Sequence, residues 1–221
     1  NMQTSEIYTV LVTDLTTGCS APVNIPVDVH PAPSVYFTTD LSNFYCEFQT
    51  INFNGDGTAY GPGTPSYVWT GPVGSGFSST VEDPSIFGAQ TFHTGDYTVD
   101  FTDGNGCTAT YTNYVEVNPN PAVTITTTQV SCLNGTDGTA TFDVALQPNY
   151  NDYIIDDFVH PQVNTNYQIF SDYTDGSYSY SVTENTTGCN SSGSFTITTV
   201  PNIPPTISCP INIQTGNSAG L

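Results

Sequence analysis

The stretch Gly95-Asp96-Tyr97-Thr98-Val99-Asp100-Phe101-Thr102-Asp103-Gly104-Asn105-Gly106-Cys107 decides the fold, because two altered copies of it occur elsewhere in the chain. The earlier copy spans residues 8–19 and the later copy spans residues 176–189. Each copy has a tyrosine, a run of alternating character, an acidic residue, a turn and a closing Gly-Cys pair. Such internal repetition predicts a repeat architecture.

The repeated stretch itself has the period of a β-strand. Alternation places Tyr97, Val99 and Phe101 on one face and polar residues on the other. Further short strands separated by Gly, Asn, Asp and Pro turns follow, and no segment shows a sustained helical period. The Gly-Cys pairs recur at intervals of about 80 to 90 residues, which suits tandem immunoglobulin-like (Ig-like) β-sandwiches. A Gly-x-Tyr at the start of the penultimate strand matches the tyrosine corner of that fold. The predicted class is therefore all-β.

Proline-containing linkers divide the predicted array. The expected segments are the C-terminal part of a preceding repeat at 1–33, complete repeats at 34–121 and 122–201, and the start of a further repeat at 202–221. The chain begins within a repeat, so it is expected to be a window of a longer protein.

The charge of the chain excludes several functions. It has no Lys and no Arg against 20 Asp plus Glu, a formal net charge of −20. This composition excludes a P-loop, a basic nucleic-acid surface and electrostatic binding to an anionic membrane. An aromatic content of 12% argues against disorder. No apolar run reaches the roughly 18 to 20 residues that cross a bilayer, so no membrane insertion is expected in this segment.

The regular spacing of the cysteines predicts disulfides and an oxidising compartment. None forms a Cys-x-x-Cys pair, which argues against a zinc ribbon or a thioredoxin-like motif. Two connectivities are open. The favoured set is Cys46–Cys107 and Cys132–Cys189, with Cys19 and Cys209 pairing outside this chain. The alternative set crosses the linkers as Cys19–Cys46 and Cys107–Cys132. The first is favoured because it closes long loops, worth roughly 4 kcal/mol each in the chain-entropy model.

The segment Cys132-Leu133-Asn134-Gly135-Thr136-Asp137-Gly138-Thr139-Ala140, followed by Tyr178 and Gly188-Cys189, resembles the repeats of SprB-type gliding-motility adhesins. Those repeats are related to PKD-like repeats and occur in giant surface proteins of Bacteroidota. Residues 102–107 and Tyr67-Val68-Trp69 are similar to the closing and middle motifs of the same repeat.

The resemblance covers both complete and both partial repeats, with two departures. Glu47 follows Cys46 where an Asn-Gly turn is expected, and Tyr153-Ile154-Ile155 stands where the first unit has its Trp69 segment. The resemblance implies export by a type IX system, anchoring at the cell surface, and a role in adhesion, gliding or prey capture.

Acidic turns are the candidate cation sites, since a divalent cation is the available counter-charge in a chain without Lys or Arg. The candidate calcium ligands are Asp56, Asp137, Asp156 and Asp157. The alternative explanation is that Asp simply suits tight turns. No complete EF-hand pattern is present, and no cofactor is required.

The chain is predicted not to be an enzyme. No histidine shares a motif with a nucleophile, and the nearest acid–base candidates are His160 with Asp156 and Asp157. The predicted function is a structural and adhesive segment of a long extracellular filament. Its expected partners are neighbouring repeats, further copies in a filament or bundle, and a cell-surface or glycan target.

The alternative function is a set of carbohydrate-binding accessory modules of a secreted polysaccharide-degrading enzyme. These would contact sugar through exposed tyrosines. The candidates are Tyr36, Tyr45, Tyr60, Tyr150 and Tyr173.

Overall fold

A computed structural model describes residues 4–148 and 152–201. Within these ranges the chain is built of β-strands and one short 3₁₀ turn, Thr91–His93, and no helix could cross a membrane. The chain divides into two compact units, residues 1–120 and 121–221. The predicted further repeat at 202–221, with Cys209, and the candidate Tyr150 lie outside the described residues.

Unit 1 begins with a two-stranded antiparallel hairpin, β1 (Glu6–Thr13) and β2 (Ser20–Val27). Its apolar side chains are exposed rather than packed. Tyr8, Val10 and Val12, which alternation places on one face, are 42%, 45% and 57% exposed.

The rest of unit 1 is a sandwich of two sheets. Its strands are β3 (Ser34–Thr39), β4 (Phe44–Cys46), β5 (Ile51–Thr58), β6 (Ser66–Thr70), β7 (Ser78–Ser79), β8 (Ser85–Ile86), β9 (Gly95–Thr102) and β10 (Thr108–Asn118). One sheet has the order β3-β5-β8 and the other β4-β10-β9-β6-β7. β4 runs parallel to β10, and the remaining pairs are antiparallel.

Unit 2 repeats this plan. Its strands are β11 (Val123–Thr128), β12 (Gly138–Val144), β13 (Tyr153–Asp156), β14 (Val163–Asn164), β15 (Tyr167–Tyr173), β16 (Gly176–Glu184) and β17 (Asn190–Ile197). The sheets have the orders β11-β12-β15 and β14-β13-β16-β17. When the short strand β4 is left out of the count and unit 1 is counted from β3, the first, second and fifth strands of each unit form one sheet, and the third, fourth, sixth and seventh form the other. This is the Ig-like arrangement, so the predicted fold class is confirmed.

Strand alternation places the aromatic residues between the sheets. In unit 1, Trp69 is fully buried, and its ring centroid lies 5.0 Å from that of Phe37 and 5.5 Å from that of Phe53. In unit 2, Phe142 contacts Phe170 and Phe195 edge to face. Each fully buried large side chain contributes about 1.5 to 3 kcal/mol by leaving water.

The composition of the glycine-rich segment Asn54-Gly55-Asp56-Gly57 predicts a turn. This prediction is wrong, because the segment continues β5. Gly55 and Gly57 alternate with exposed residues, so both face the core. A Cβ on Gly57 would lie 2.5 Å from the ring of Phe101, and one on Gly55 would lie 3.1 Å from Trp69. The glycines therefore provide space for large neighbours.

The tyrosine corner is confirmed in both units. The Tyr97 hydroxyl donates a hydrogen bond to the His93 carbonyl at 2.8 Å, and burial raises the Tyr97 pKa. The Tyr178 hydroxyl donates to the Thr174 carbonyl at 3.0 Å. The repeated tyrosine thus fastens the segment leading into the penultimate strand.

Candidate functional site

A buried carboxylate lies in the core of unit 2. β13 pairs Ile155 with Val182, so Asp157, two residues on, also points inward. The tyrosine corners equate Tyr178 with Tyr97, so Val182 corresponds to Phe101. In unit 1, Tyr67 pairs with Phe101 and Trp69 with Val99. Ile155 therefore corresponds to Tyr67, and Asp157 is the structural counterpart of Trp69. The prediction that Tyr153-Ile154-Ile155 takes the place of Tyr67-Val68-Trp69 is therefore wrong by two residues.

Asp157 is 1% exposed and accepts four hydrogen bonds. Its Oδ1 accepts from the backbone N–H groups of His160 (2.8 Å) and Val159 (3.2 Å). Its Oδ2 lies 2.6 Å from His160 Nδ1 and also accepts from the Tyr173 hydroxyl. The His160 ring stacks on Phe170 with centroids 5.1 Å apart.

These contacts fix the ionisation of the cluster. Burial opposes the charge on Asp157, but hydrogen bonds from Tyr173 and His160 together hold its pKa below the ordinary value. Burial and the Asp157 charge raise the pKa of Tyr173. Because an ionised carboxylate only accepts hydrogen bonds, Nδ1 of His160 carries a proton and donates it to Asp157.

The predicted pairing of His160 with Asp157 is therefore present, whereas Asp156 turns elsewhere. Asp156 accepts from the Phe158 N–H at 2.8 Å and from Gln162 Nε2 at 2.6 Å. Among the described residues, no serine, threonine or cysteine side chain hydrogen-bonds to His160. The cluster orients the ring and fills the place of an aromatic side chain.

The other candidate cation ligands lie apart from one another. Asp56 accepts from the Tyr36 hydroxyl at 2.7 Å. Asp137 accepts from the Ser131 N–H at 3.0 Å, and hydrogen bonding to Ser131 lowers its pKa. Within residues 4–148 and 152–201, no three His, Cys, Asp or Glu residues are grouped so that they could hold a metal ion. Calcium binding at these positions stays a prediction.

The acidic residue of each repeated stretch closes its hairpin turn, a role that the sequence analysis did not assign. Asp103 Oδ1 accepts from the N–H groups of Asn105 (3.0 Å) and Cys107 (2.8 Å). Glu184 Oε2 accepts from the Thr187 N–H at 2.7 Å, and Asp14 does the same for Thr16 at 2.7 Å. The sequence contains a signal for this role, since each of these acidic residues precedes a Gly-Cys pair by a few residues.

The cysteines differ from both predicted sets. Cys46 and Cys189 are each in a disulfide bond, while Cys19, Cys107 and Cys132 are free thiols. The pairs Cys46–Cys107 and Cys132–Cys189 are therefore wrong, and so are Cys19–Cys46 and Cys107–Cys132.

The strand register explains why the favoured pairs cannot form. Cys46 lies beside Asn118 at the end of β10, whereas Cys107 directly precedes the start of this 11-residue strand. At about 3.4 Å per residue, the two are separated by most of the strand length. In unit 2, Cys189 directly precedes β17, while Val130, close to Cys132, bridges to Thr199 beyond the other end.

The tyrosines proposed as sugar platforms are mostly unsuited to that role. Tyr45 and Tyr173 are each 1% exposed. Tyr60 is half-buried, and Tyr36 is exposed but donates its hydroxyl to Asp56. A larger exposed aromatic surface is that of Phe87, which is 81% exposed.

Phe87 borders an open groove at the edge of the unit 1 sandwich. The groove lies where β7 ends the five-stranded sheet and β8 ends the three-stranded sheet. Its volume is about 450 Å³. Its lining combines aromatic, aliphatic, hydroxyl and carboxyl groups: Gly76, Phe77, Ser78, Ser79, Val81, Asp83, Pro84, Ser85 and Phe87.

Hydrogen bonds fix one wall of this groove to the core. Trp69 Nε1 donates to the Val81 carbonyl at 2.8 Å, and the Tyr67 hydroxyl donates to Glu82 at 2.9 Å. Burial and Glu82 raise the pKa of Tyr67 to about 12. The Gly55 N–H donates to Asp83 at 2.9 Å. The wall is thus held by residues of β5 and β6.

No protein-family model and no curated protein matches this chain. Solved structures of Ig-like proteins are similar. Murine CEACAM1b is 14% identical, with a TM-score of 0.35, over 75% of this chain and 100% of that one. Three N-terminal domains of the bacteriophage RB49 outer capsid protein Hoc are 13% identical, with a TM-score of 0.33, over 76% and 59%. The N-terminal four Ig domains of Dscam1 isoform 6.9 are 11% identical, with a TM-score of 0.35, over 88% and 54%.

Proposed function

We propose that this chain is a structural and adhesive segment of a long extracellular surface filament built of tandem Ig-like repeats. The supporting observation is that the two units share a strand arrangement but not a set of functional side chains. Both have the same strand arrangement, and the hairpin β1–β2 repeats the closing strands a third time. A core position that is Trp69 in one unit is Asp157 in the other. Duplication has therefore preserved the scaffold rather than a side-chain site, as expected where length and multivalency are the function.

The closing strands of unit 1 suit a mechanical role. β4 pairs in parallel with the end of β10, matching Phe44 with Glu116 and Cys46 with Asn118. The pairing is extended by the Glu47 N–H, which donates to the Asn118 carbonyl at 2.9 Å. Pulling such strands apart along their length loads several hydrogen bonds together instead of one after another.

The outer faces suit contacts with other chains. Cross-strand hydroxyl pairs recur on the hairpins, as Thr98 with Thr112 and Thr128 with Thr139, both at 2.8 Å. A net charge of −20 without Lys or Arg keeps copies apart at low ionic strength. Association into a homo-oligomeric bundle therefore needs salt or divalent cations. Calcium would act as a counter-ion, and no described group of residues requires it.

The resemblance to SprB-type repeats supports a more specific assignment. We infer a surface adhesin of the Bacteroidota kind, exported by a type IX system, serving attachment, gliding or prey capture and having no enzymatic activity of its own. Neighbouring repeats of the same chain would be its first partners.

The experiment uses the organism that makes the chain. Antibodies against residues 34–201 should label intact cells as extended surface filaments, and deletion of the gene should abolish attachment or movement. Labelling only after the cells are permeabilised, or unchanged attachment in the deletion strain, would refute the proposal.

A further inference from the structure

We propose that the groove beside Phe87 in unit 1 binds an uncharged saccharide of a target surface. The exposed Phe87 ring offers an apolar face to the C–H face of a sugar. Residues that bear hydroxyl and carboxyl groups line the same concavity. The volume of about 450 Å³ is that of a small-molecule site.

The charge of the chain restricts the saccharide to uncharged ones. A carboxylated, sulfated or phosphorylated glycan needs a guanidinium or ammonium partner, and the chain contains neither Lys nor Arg. Asp83 adds a carboxylate to the lining and would repel an anionic sugar.

The lining of the groove itself offers few ligands to a cationic peptide. Asp83 is the only acidic residue that lines the groove, and one of its oxygens already accepts the Gly55 N–H at 2.9 Å. The neighbouring Glu82 accepts from the Tyr67 hydroxyl at 2.9 Å. A Lys or Arg side chain would therefore meet a single lining carboxylate, one oxygen of which is already hydrogen-bonded.

The edges of the groove are too short to add a peptide strand. β7 and β8 are two residues each, and strand addition depends on a row of main-chain hydrogen bonds along an edge. A saccharide needs no such row, because it is recognised by ring stacking and by scattered polar groups.

The groove is also organised before any ligand arrives. Phe77 packs on the core, with its ring centroid 5.4 Å from those of Phe53 and Tyr97. Residues 81–83 are held by hydrogen bonds to side chains or backbone of the core strands. The Ser78 hydroxyl has no hydrogen-bond partner among the described residues and is available to a ligand. A preformed site loses little conformational entropy on binding.

The inference rests on the proposed adhesive role, but its test is separate from the cell experiment. The purified 221-residue chain would be titrated with uncharged hexasaccharides of glucose, xylose and mannose by calorimetry, with heparin and polygalacturonate as anionic probes. The matched variants are Phe87→Ala, Phe87→Tyr and Phe92→Ala. Phe92 is 57% exposed and lies outside the groove.

At least one uncharged hexasaccharide should bind. Phe87→Ala should weaken the affinity by about tenfold or more, whereas Phe87→Tyr and Phe92→Ala should leave the affinity nearly unchanged. Circular dichroism should show all variants folded, since both side chains are exposed. Absence of binding to every uncharged probe, equal binding of the anionic probes, or binding insensitive to Phe87→Ala would overturn the proposal. Surface filaments that mediate attachment would still support the adhesive role if this test failed.

Discussion

Replacing Asp157 by leucine should destabilise unit 2 without affecting unit 1. The change removes an acceptor of four hydrogen bonds and leaves the Tyr173 hydroxyl, in a side chain only 1% exposed, without its partner. Stranding one buried donor costs about 1 to 3 kcal/mol. His160 is partly exposed and can turn to water, but the Tyr173 hydroxyl is buried and loses a charged acceptor, so the loss should lie at the upper end of that range, at about 3 kcal/mol.

The single tryptophan makes the two units separable in one experiment. Trp69 is buried in unit 1, so its fluorescence reports unfolding of that unit during urea titration, while far-UV circular dichroism reports both. With a urea dependence of roughly 1 to 2 kcal/mol/M, the unit 2 midpoint should fall by about 1.5 to 3 M, and the Trp69 transition should not move.

Two companion variants test the physical reason. Asp156→Ala is the matched control, because this neighbouring carboxylate is more exposed, and its loss should cost less than about 1 kcal/mol. Adding Tyr173→Phe to Asp157→Leu removes the stranded hydroxyl and should recover more than about 1 kcal/mol. The same place in unit 1 is occupied by Trp69, so an apolar side chain suits the fold.

Acid should reduce the difference between wild type and Asp157→Leu. Hydrogen bonding lowers the pKa of Asp157 below its ordinary value in the folded state, so its stabilisation is present above the ordinary pKa and is lost as pH falls through the folded-state pKa. A unit 2 midpoint unchanged by Asp157→Leu at neutral pH, or no recovery in the double variant, would refute the reasoning.

Two further predictions concern packing and the cysteines. Gly57→Ala should destabilise unit 1 by more than about 1 kcal/mol, because a Cβ would lie 2.5 Å from the Phe101 ring. The urea midpoint of the Trp69 transition should therefore shift, whereas the control Thr58→Ala, on the exposed face, should leave it in place. Equal effects of the two variants would contradict the packing explanation. Iodoacetamide applied without reductant should alkylate Cys19 and Cys132, which are exposed, faster than the partly buried Cys107, and should modify Cys46 and Cys189 only after reduction. Peptide mass mapping would check this order, and early alkylation of Cys46 would contradict it.

Local pattern was sufficient for the fold. The alternation of Tyr97, Val99 and Phe101 predicted a buried face, and all three are fully buried. The Gly-x-Tyr pattern predicted the tyrosine corner, whose hydrogen bond spans only four residues. Such features follow from neighbours in the chain, so sequence spacing reports them directly.

The sequence did not predict, or predicted wrongly, the features that depend on residues distant in the chain. Gly55 and Gly57 look like turn residues, and only the positions of Trp69 and Phe101 across the sandwich show why a strand needs glycine there. The groove likewise forms from the edges of two sheets that meet only in the folded unit.

The sequence by itself determined the class and repetition of this protein, because strand period and turn chemistry are local properties. Only the tertiary structure decided the cysteine states and the counterpart of Trp69. Both depend on strand register, since a shift of two residues keeps the same face inward but changes which side chain meets the core. Strand register therefore brings Asp157 into contact with Tyr173 and His160, and it places Cys46 and Cys107 near opposite ends of β10.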